Sequence, residues 1–282
     1  MENTIVSQMK LTGERALFAA ENITVRDSVF EDGESPLKES SNIRVEGCIF
    51  RWKYPMWYSK QVTVEGSTLL DTARSGIWYT RGISLTDCTV DAPKTFRRSS
   101  EITLTRVDLN RAQETMWSCS DISMTDVNAV GDYFCMNSSD IVADNLTVSG
   151  NYAFDGCRNL TVKNSRLISK DAFWNCENVR VENSLIIGEY LGWNSKNVTL
   201  VNCTLESNQG LCYMEGVTLI NCKLINTDLA FEYSMVDAEV RSHIISVKNP
   251  LSGRIVADSI GQIIHEPGRV DTAKTEIKVR DK

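Results

Sequence analysis

Apolar and polar residues alternate along the chain in short stretches that recur about every 19 residues. The stretches ENITVRDSVF and EGVTLINCKL, which begin at Glu21 and Glu215, show the pattern. Alternation with a period of two predicts β-strands whose apolar side chains share one face. In 11 clear repeats the alternation begins at a key apolar residue, 19 to 21 positions after the previous one: Ile23, Ile43, Val62, Ile83, Ile102, Ile122, Ile141, Leu160, Val179, Val198 and Val217. Two more steps of 19 reach Val236 and Ile255.

Two polar columns recur along the repeats, and one of them predicts a corner in every coil. The fourth residue after the key residue is nearly always Asn, Asp or Gly, which tolerate a left-handed backbone, as at Gly47 and Asn202. A second polar column directly precedes the key residue. A third short strand comes before that column, and its residue six positions before the key residue is apolar in nearly every repeat. Short strands joined by such corners predict an all-β fold, a single-stranded right-handed parallel β-helix of about 11–13 coils with capped ends.

The ends of the chain depart from the repeat. We expect an N-terminal cap over residues 1–15, the β-helix over 16–264 and a C-terminal cap or tail over 265–282, because open strand edges need covering. The turn KNPLSG interrupts the pattern near the C-terminus. If that turn is functional, its chemistry would come from His243 and Lys248.

The charge balance limits the classes of partner. The chain has 30 Lys and Arg against 37 Asp and Glu, a net charge of −7. A nucleic-acid or polybasic membrane-surface protein would need a basic face, so we expect neither partner. Only two histidines are present, which disfavours histidine-based chemistry. The first residues lack an apolar signal segment, so we expect a cytoplasmic location.

Eight of the nine cysteines fall at positions that other repeats fill with small core residues. No CxxC pair and no Cys/His spacing typical of zinc occurs, so we expect no metal and no cofactor. Small buried thiols in a reducing compartment are the simplest interpretation. Cys212 is the exception, because its position is expected to point outward, and it is the best candidate for a reactive thiol.

An asparagine corner between two strands of a short coil resembles the pectin-lyase-like superfamily of right-handed β-helices. The chain is also similar over essentially its full length to an uncharacterised microbial family, a domain of unknown function. The segment from Ala230 to Ile264 carries most of that similarity. The resemblance implies the fold. It implies little about activity, because β-helices include lyases, hydrolases, esterases, adhesins and inert spacers.

Five of the six tryptophans occupy one position, five residues before the key residue. We call this position the tryptophan column, and its central members are Trp57, Trp78, Arg97, Trp117, Met136, Asp155, Trp174 and Trp193. The preceding position is apolar and points inward, so the column is expected to point outward. An exposed apolar stripe usually marks an interaction surface.

The column suggests a surface that binds an oligosaccharide or sugar conjugate, since the apolar faces of sugar rings stack on aromatic rings. The predicted binding residues are Trp57, Trp78, Arg97, Arg98, Trp117, Trp174 and Trp193. Arg97 would lie between two indoles, where a cation–π contact is favourable. Together with Arg98 it could hold a carboxylate or sulfate on a sugar.

The resemblance to pectin-degrading β-helices also implies candidate catalytic residues, because those enzymes use acidic residues on the outward face of this strand. Asp155 is the best placed, with Asp171 and Glu189 as partners for glycoside hydrolysis. A lyase would instead use a base such as Arg97. The stretch lacks the Asp-Asp pair of the polygalacturonases and repeated calcium-ligand motifs, which disfavours hydrolysis.

A non-catalytic alternative remains open. The column could be covered by segments between the coils, such as Arg51–Pro55, or buried between copies of the chain. The protein would then be a scaffold or a homo-oligomeric structural protein.

Overall fold

The computed structural model describes residues 4–280, which form two compact units divided between Val142 and Ala143. Both are built from short parallel strands, and the fold class predicted from the repeat, an all-β right-handed parallel β-helix, is confirmed. The first unit contains β1 (Thr4–Ser7), β2 (Lys10–Leu11), β3 (Glu21–Arg26), β4 (Val29–Phe30), β5 (Ser41–Glu46), β6 (Ile49–Phe50), β7 (Lys60–Glu65), β8 (Thr68–Leu69), β9 (Ile77–Trp78), β10 (Arg81–Val90), β11 (Phe96–Arg97), β12 (Ser100–Leu109) and β13 (Ser120–Val130).

The boundary between the units falls within β14 (Ser139–Ser149). The second unit continues with β15 (Arg158–Lys163), β16 (Arg166–Ile168), β17 (Glu177–Glu182), β18 (Leu185–Ile187), β19 (Lys196–Val201), β20 (Thr204–Glu206), β21 (Glu215–Ile225), β22 (Met235–Val240), β23 (His243–Lys248), β24 (Ser252–Ala257), β25 (Ser259–Ile264) and β26 (Thr275–Val279). A single 3₁₀ turn, Thr272–Lys274, precedes β26. Within residues 4–280 no helix has the length and apolar character needed to cross a membrane.

Strand register in the first unit follows the predicted key residues. Ile23 pairs with Ile43, and each later key residue pairs with its counterpart in the next coil as far as Ile122. Strand β1 extends the same ladder, because Thr4 pairs with Ile23. Part of the predicted N-terminal cap therefore forms a further rung that pairs in parallel with the first repeat.

The second unit keeps the predicted register until its last coils. The ladder runs through the key residues from Leu160 to Val217, and Val217 then pairs with Val236. The further step of 19 to Ile255 is wrong, because Ile255 pairs with Ala238 and Val236 faces Gly253. Gly253 has a φ of +111°, and a Cβ atom there would lie 2.0 Å from the Val236 carbonyl oxygen. The absence of a side chain at Gly253 thus permits the coil between Val236 and Gly253 to be shorter than the 19-residue repeat.

Left-handed corners occur at the predicted position, four residues after the key residue. Asn202 has a φ of 52°, and its Nδ2 donates to Asn183 Oδ1 at 3.2 Å while its Oδ1 accepts from Asn221 Nδ2 at 2.8 Å. Left-handed residues also recur one, four and eight positions before the key residue, and none of these was predicted as a corner. Tyrosines occupy several of them, including Tyr58 (φ 57°) and Tyr152 (φ 57°). These corners carry aromatic rings beside the tryptophan column.

The interior of each unit is apolar and contains the cysteines. Phe30 and Phe50 stack at 4.4 Å in the first unit, and Phe154 and Phe173 at 5.7 Å in the second. All nine cysteines are buried. The expectation of an outward, reactive Cys212 is wrong, since its side chain is fully buried and burial raises the pKa of its thiol to about 12.

Candidate functional site

The tryptophan column of the first unit is one continuous stack of side chains. The rings of Trp57 and Trp78 are nearly parallel, with centroids 5.1 Å apart. The Arg97 guanidinium lies 4.7 Å from the Trp78 ring and 4.6 Å from the Trp117 ring, so it sits between two indoles as the order of the column predicts. Each of these side chains is half-buried. The ring faces inside the stack are therefore covered by other members of the stack.

The indole N–H groups of this stack are also occupied. Each donates to a backbone carbonyl at a left-handed corner of the next coil: Trp57 to Ser75 at 2.5 Å, Trp78 to Lys94 at 2.9 Å and Trp117 to Tyr133 at 2.7 Å. These bonds join successive coils, because donor and acceptor belong to neighbouring coils. They also give each of the three carbonyls a hydrogen-bond donor. In the first unit the indole N–H groups of the column are thus satisfied, whereas the buried Nε of Arg97 has no hydrogen-bond partner among the described residues.

The two arginines predicted to act as a pair lie in different surroundings. Arg97 forms an ion pair with Glu114 at 3.3 Å, and Glu114 also binds Lys94 at 3.0 Å. Arg98 is exposed at a left-handed corner with a φ of 48°. Anion binding by Arg97 and Arg98 remains a prediction.

The column in the second unit opens into a groove of about 310 Å³. We call it the aromatic groove, and it is lined by Tyr152, Lys170, Asp171, Trp174, Tyr190, Trp193 and Gln209. Tyr152 stacks on Trp174 with centroids 6.0 Å apart, and Tyr190 meets Trp193 edge-on at 5.4 Å. The tyrosines come from the unpredicted left-handed corners. Sequence reasoning missed Lys170, whose position carries no recurring residue type, and Gln209, which stands where other coils carry tyrosine.

Trp174 differs from the other members of the column. Trp193 Nε1 donates to the Gln209 carbonyl at 3.2 Å, which repeats the arrangement of the first unit. The indole N–H of Trp174 forms no hydrogen bond with any residue from 4 to 280. The aromatic groove therefore contains one unused donor, the indole N–H of Trp174.

Asp171 supplies a carboxyl group to the same groove. Its side chain is buried, with 5% exposure, and burial raises the pKa of this carboxyl above its ordinary value. The charges of Glu189 and Asp155 add to the rise, while Lys170 and a hydrogen bond with Tyr152 oppose it. The three predicted carboxylates are therefore near enough to interact electrostatically.

The other two carboxylates have local partners. Glu189 is exposed and pairs with Lys170 at 3.7 Å. Asp155 Oδ1 accepts a hydrogen bond from Asn175 Nδ2 at 3.0 Å, and Asn175 in turn accepts one from Asn194 at 2.8 Å. Among the described residues no group of three or more His, Cys, Asp or Glu could hold a metal ion. The arrangement provides aromatic faces, a free N–H donor and one buried carboxyl.

The two residues proposed for the C-terminal turn make separate contacts. His243 Nδ1 lies 2.8 Å from Ser259 Oγ, on the two-stranded sheet of β23 and β25. Lys248 binds Glu232 at 3.0 Å and Glu266 at 3.5 Å, and the hydrogen bond to Glu232 raises its pKa. These contacts fasten the C-terminal segment to the strands before it.

Comparisons with known proteins give a family and several distant structural likenesses. A family model described as "Protein of unknown function (DUF3737)" matches residues 4–278. No curated protein matches the chain. Among solved structures, the surface adhesin PfbA of Streptococcus pneumoniae is 9% identical with a TM-score of 0.37, over 85% of this chain and 70% of the adhesin. The A-module of the mannuronan C-5 epimerase AlgE4 of Azotobacter vinelandii is 10% identical with a TM-score of 0.35, over 98% and 91%. The tailspike of E. coli bacteriophage HK620, in complex with a pentasaccharide, is 10% identical with a TM-score of 0.33, over 97% and 68%.

Proposed function

We propose that this chain, which belongs to the family described as Protein of unknown function (DUF3737), binds a carbohydrate in the aromatic groove of its second unit. One observation carries the proposal. Trp174 alone in the tryptophan column keeps its indole N–H free of bonds to residues 4–280, and it does so beside the buried carboxyl of Asp171.

The chemistry of the groove suits a sugar. A sugar ring presents an apolar C–H face and hydroxyl groups that both donate and accept hydrogen bonds. Trp174 and Trp193 provide aromatic surface, the Trp174 N–H provides a donor, and Asp171 provides oxygen atoms. A volume of about 310 Å³ lies at the lower end of the range for small-molecule sites, which favours a short segment of an oligosaccharide.

The column of the first unit is less suited to sugar binding than the aromatic groove. A sugar stacks on an open ring face, whereas Trp57, Trp78 and Trp117 cover one another or cover Arg97. Their N–H groups are bound to the backbone as well. The scaffold alternative therefore applies best to the first unit, where the column stabilises the coils.

Isothermal titration calorimetry with cello-, xylo- and galacturono-oligosaccharides tests the proposal. We expect at least one of these to bind, and Trp174→Phe to weaken that binding about tenfold because the ring stays and the donor is lost. Trp78→Phe is the matched control in the first unit, and its dissociation constant should stay within about twofold of the wild type. The proposal is wrong if none of the oligosaccharides binds, or if Trp174→Phe binds as tightly as the wild type.

A second candidate function is cleavage of the bound glycoside, with Asp171 as the general acid. The raised pKa of Asp171 favours it, because a general acid must hold its proton near the working pH. Release of reducing ends should fall as the pH rises through that pKa. Asp171→Asn should lower the rate at least about a hundredfold while binding persists. A wild-type protein that binds oligosaccharides and releases no product contradicts cleavage and leaves the binding function intact.

A further inference from the structure

The sixth tryptophan, Trp52, lies outside the column and lines a separate cleft in the first unit. The cleft has a volume of about 350 Å³. We call it the basic cleft, and its lining residues come from segments that precede successive coils: Trp52, Lys53, Asp71, Thr72, Arg74, Pro93 and Arg111. It shares no residue with the aromatic groove.

Positive charge is concentrated in this cleft although the chain carries a net charge of −7. Three cationic side chains line it, against the single carboxylate of Asp71. Lys53 is bound by Glu34 at 2.8 Å, but Arg111 reaches Asp71 only at 3.8 Å. Arg74 has no ion-pair partner in the described part of the chain. Lys53 and Arg111 thus have carboxylate partners, and Arg74 leaves one uncompensated positive charge in a concave site, which attracts anions.

Lys53 and Arg74 lie close enough for the charge of Arg74 to affect the pKa of Lys53. The pKa of Lys53 is raised by its hydrogen bond to Glu34, and the charge of Arg74 opposes that rise. Like charges held together in this way are stabilised by a bound anion, which replaces their repulsion with attraction. The anion would be contacted by side chains from different segments, and therefore from different directions.

One side of the cleft is apolar. Trp52 is half-buried, and within residues 4–280 no other aromatic ring stacks on it. The Lys53 Nζ atom lies 5.6 Å from its ring centroid, and Pro93 lines the same cleft. An indole next to guanidinium groups suits a ligand that carries an anionic group on a ring.

We propose that the basic cleft binds a phosphate monoester attached to a ring, with the phosphate on Arg74 and Arg111 and the ring against Trp52. A planar carboxylate is satisfied by the two-pronged contact of one arginine, whereas cations converging from several segments match the tetrahedral arrangement of phosphate oxygens. Lys53 stands beside this contact and adds charge. The site is independent of the proposed function in the second unit.

Isothermal titration calorimetry with four probes tests this assignment: inorganic phosphate, glucose 6-phosphate, glucose and glucuronate. We expect glucose 6-phosphate to bind at least tenfold more tightly than glucose or glucuronate, and more tightly than inorganic phosphate. Arg74→Ala combined with Arg111→Ala should weaken its binding at least tenfold. Trp52→Ala should bring its affinity down to that of inorganic phosphate, because the contact with the sugar ring is removed while Arg74 and Arg111 remain.

Two controls separate the cleft from general surface charge and from the aromatic groove. Arg81→Ala removes an arginine from the same unit whose side chain is 70% exposed and lies outside the cleft, and it should leave binding unchanged. Trp174→Phe should also leave it unchanged. The proposal is overturned if glucose 6-phosphate does not bind, if the double arginine variant binds it normally, or if glucuronate binds equally well.

Discussion

The tryptophans of the column differ in whether their indole N–H is hydrogen-bonded. The difference depends on whether a backbone carbonyl of the next coil lies within reach. The indole N–H of Trp57, Trp78, Trp117 and Trp193 meets a carbonyl oxygen of a following corner. At Trp174 no such bond forms within residues 4–280. A tryptophan with all its contacts made contributes to stability, while one with an unused donor and a neighbouring carboxyl is available to a ligand.

Asp171 leads to a prediction about stability and pH. Its carboxyl has a raised pKa in the folded protein because burial disfavours the charged form. As the pH rises above the ordinary pKa of an aspartate, the unfolded chain ionises first and the folded state loses stability until Asp171 itself ionises. Asp171→Asn removes this loss. We expect its melting temperature at pH 7 to exceed that of the wild type by on the order of 2 °C, and the difference to disappear at pH 3.

Differential scanning calorimetry at the two pH values measures this effect. Glu189→Gln is the matched control, since Glu189 is exposed and carries no comparable burial cost. It should change the melting temperature less than Asp171→Asn at pH 7. An Asp171→Asn protein that is less stable than the wild type at pH 7 would contradict the unfavourable burial of the carboxylate.

At the scale of the structural element, the corners connect sequence to fold. Asn202 combines a left-handed backbone with two hydrogen bonds along the asparagine ladder. Alanine would lose both bonds and strain the backbone, whereas glycine would lose only the bonds. We expect Asn202→Ala to lower the free energy of unfolding by about 2 kcal/mol and Asn202→Gly by about 1 kcal/mol.

Urea unfolding of the two variants beside the wild type tests the role of this corner. The difference between alanine and glycine isolates the backbone contribution, because both substitutions break the ladder equally. Equal losses for the two variants would show that the left-handed conformation at Asn202 carries no strain for alanine.

The sequence predicts the register as far as Val236 because period-two alternation and the corner residues both reflect backbone geometry directly. It does not predict the corners at Tyr58 and Tyr152, since tyrosine has no preference for a left-handed backbone. The shift at Ile255 depends on a close approach at Gly253, and Cys212 is buried at a position where the tryptophans are half-buried. The Trp174 donor depends on where a carbonyl of the next coil lies. Each of these requires coordinates rather than a pattern.

At the scale of the whole molecule, one repeated position provides two kinds of surface. In the first unit the column is a closed stack around Arg97, and in the second it lines a groove with a buried carboxyl. The first unit adds a basic cleft to a chain that is otherwise acidic. The column of the first unit makes stabilising contacts, and we propose sugar binding for the aromatic groove and anion binding for the basic cleft.

The most direct test of this account is a ¹⁵N–¹H correlation spectrum of the six indole N–H groups, recorded for solvent exchange and then during titration with the best-binding oligosaccharide. We expect the signals of Trp57, Trp78, Trp117 and Trp193 to be protected from exchange, since their protons are bonded to backbone carbonyls. The Trp174 signal should exchange rapidly and shift most on titration. A protected Trp174 signal, or shifts confined to the indoles of the first unit, would contradict the account.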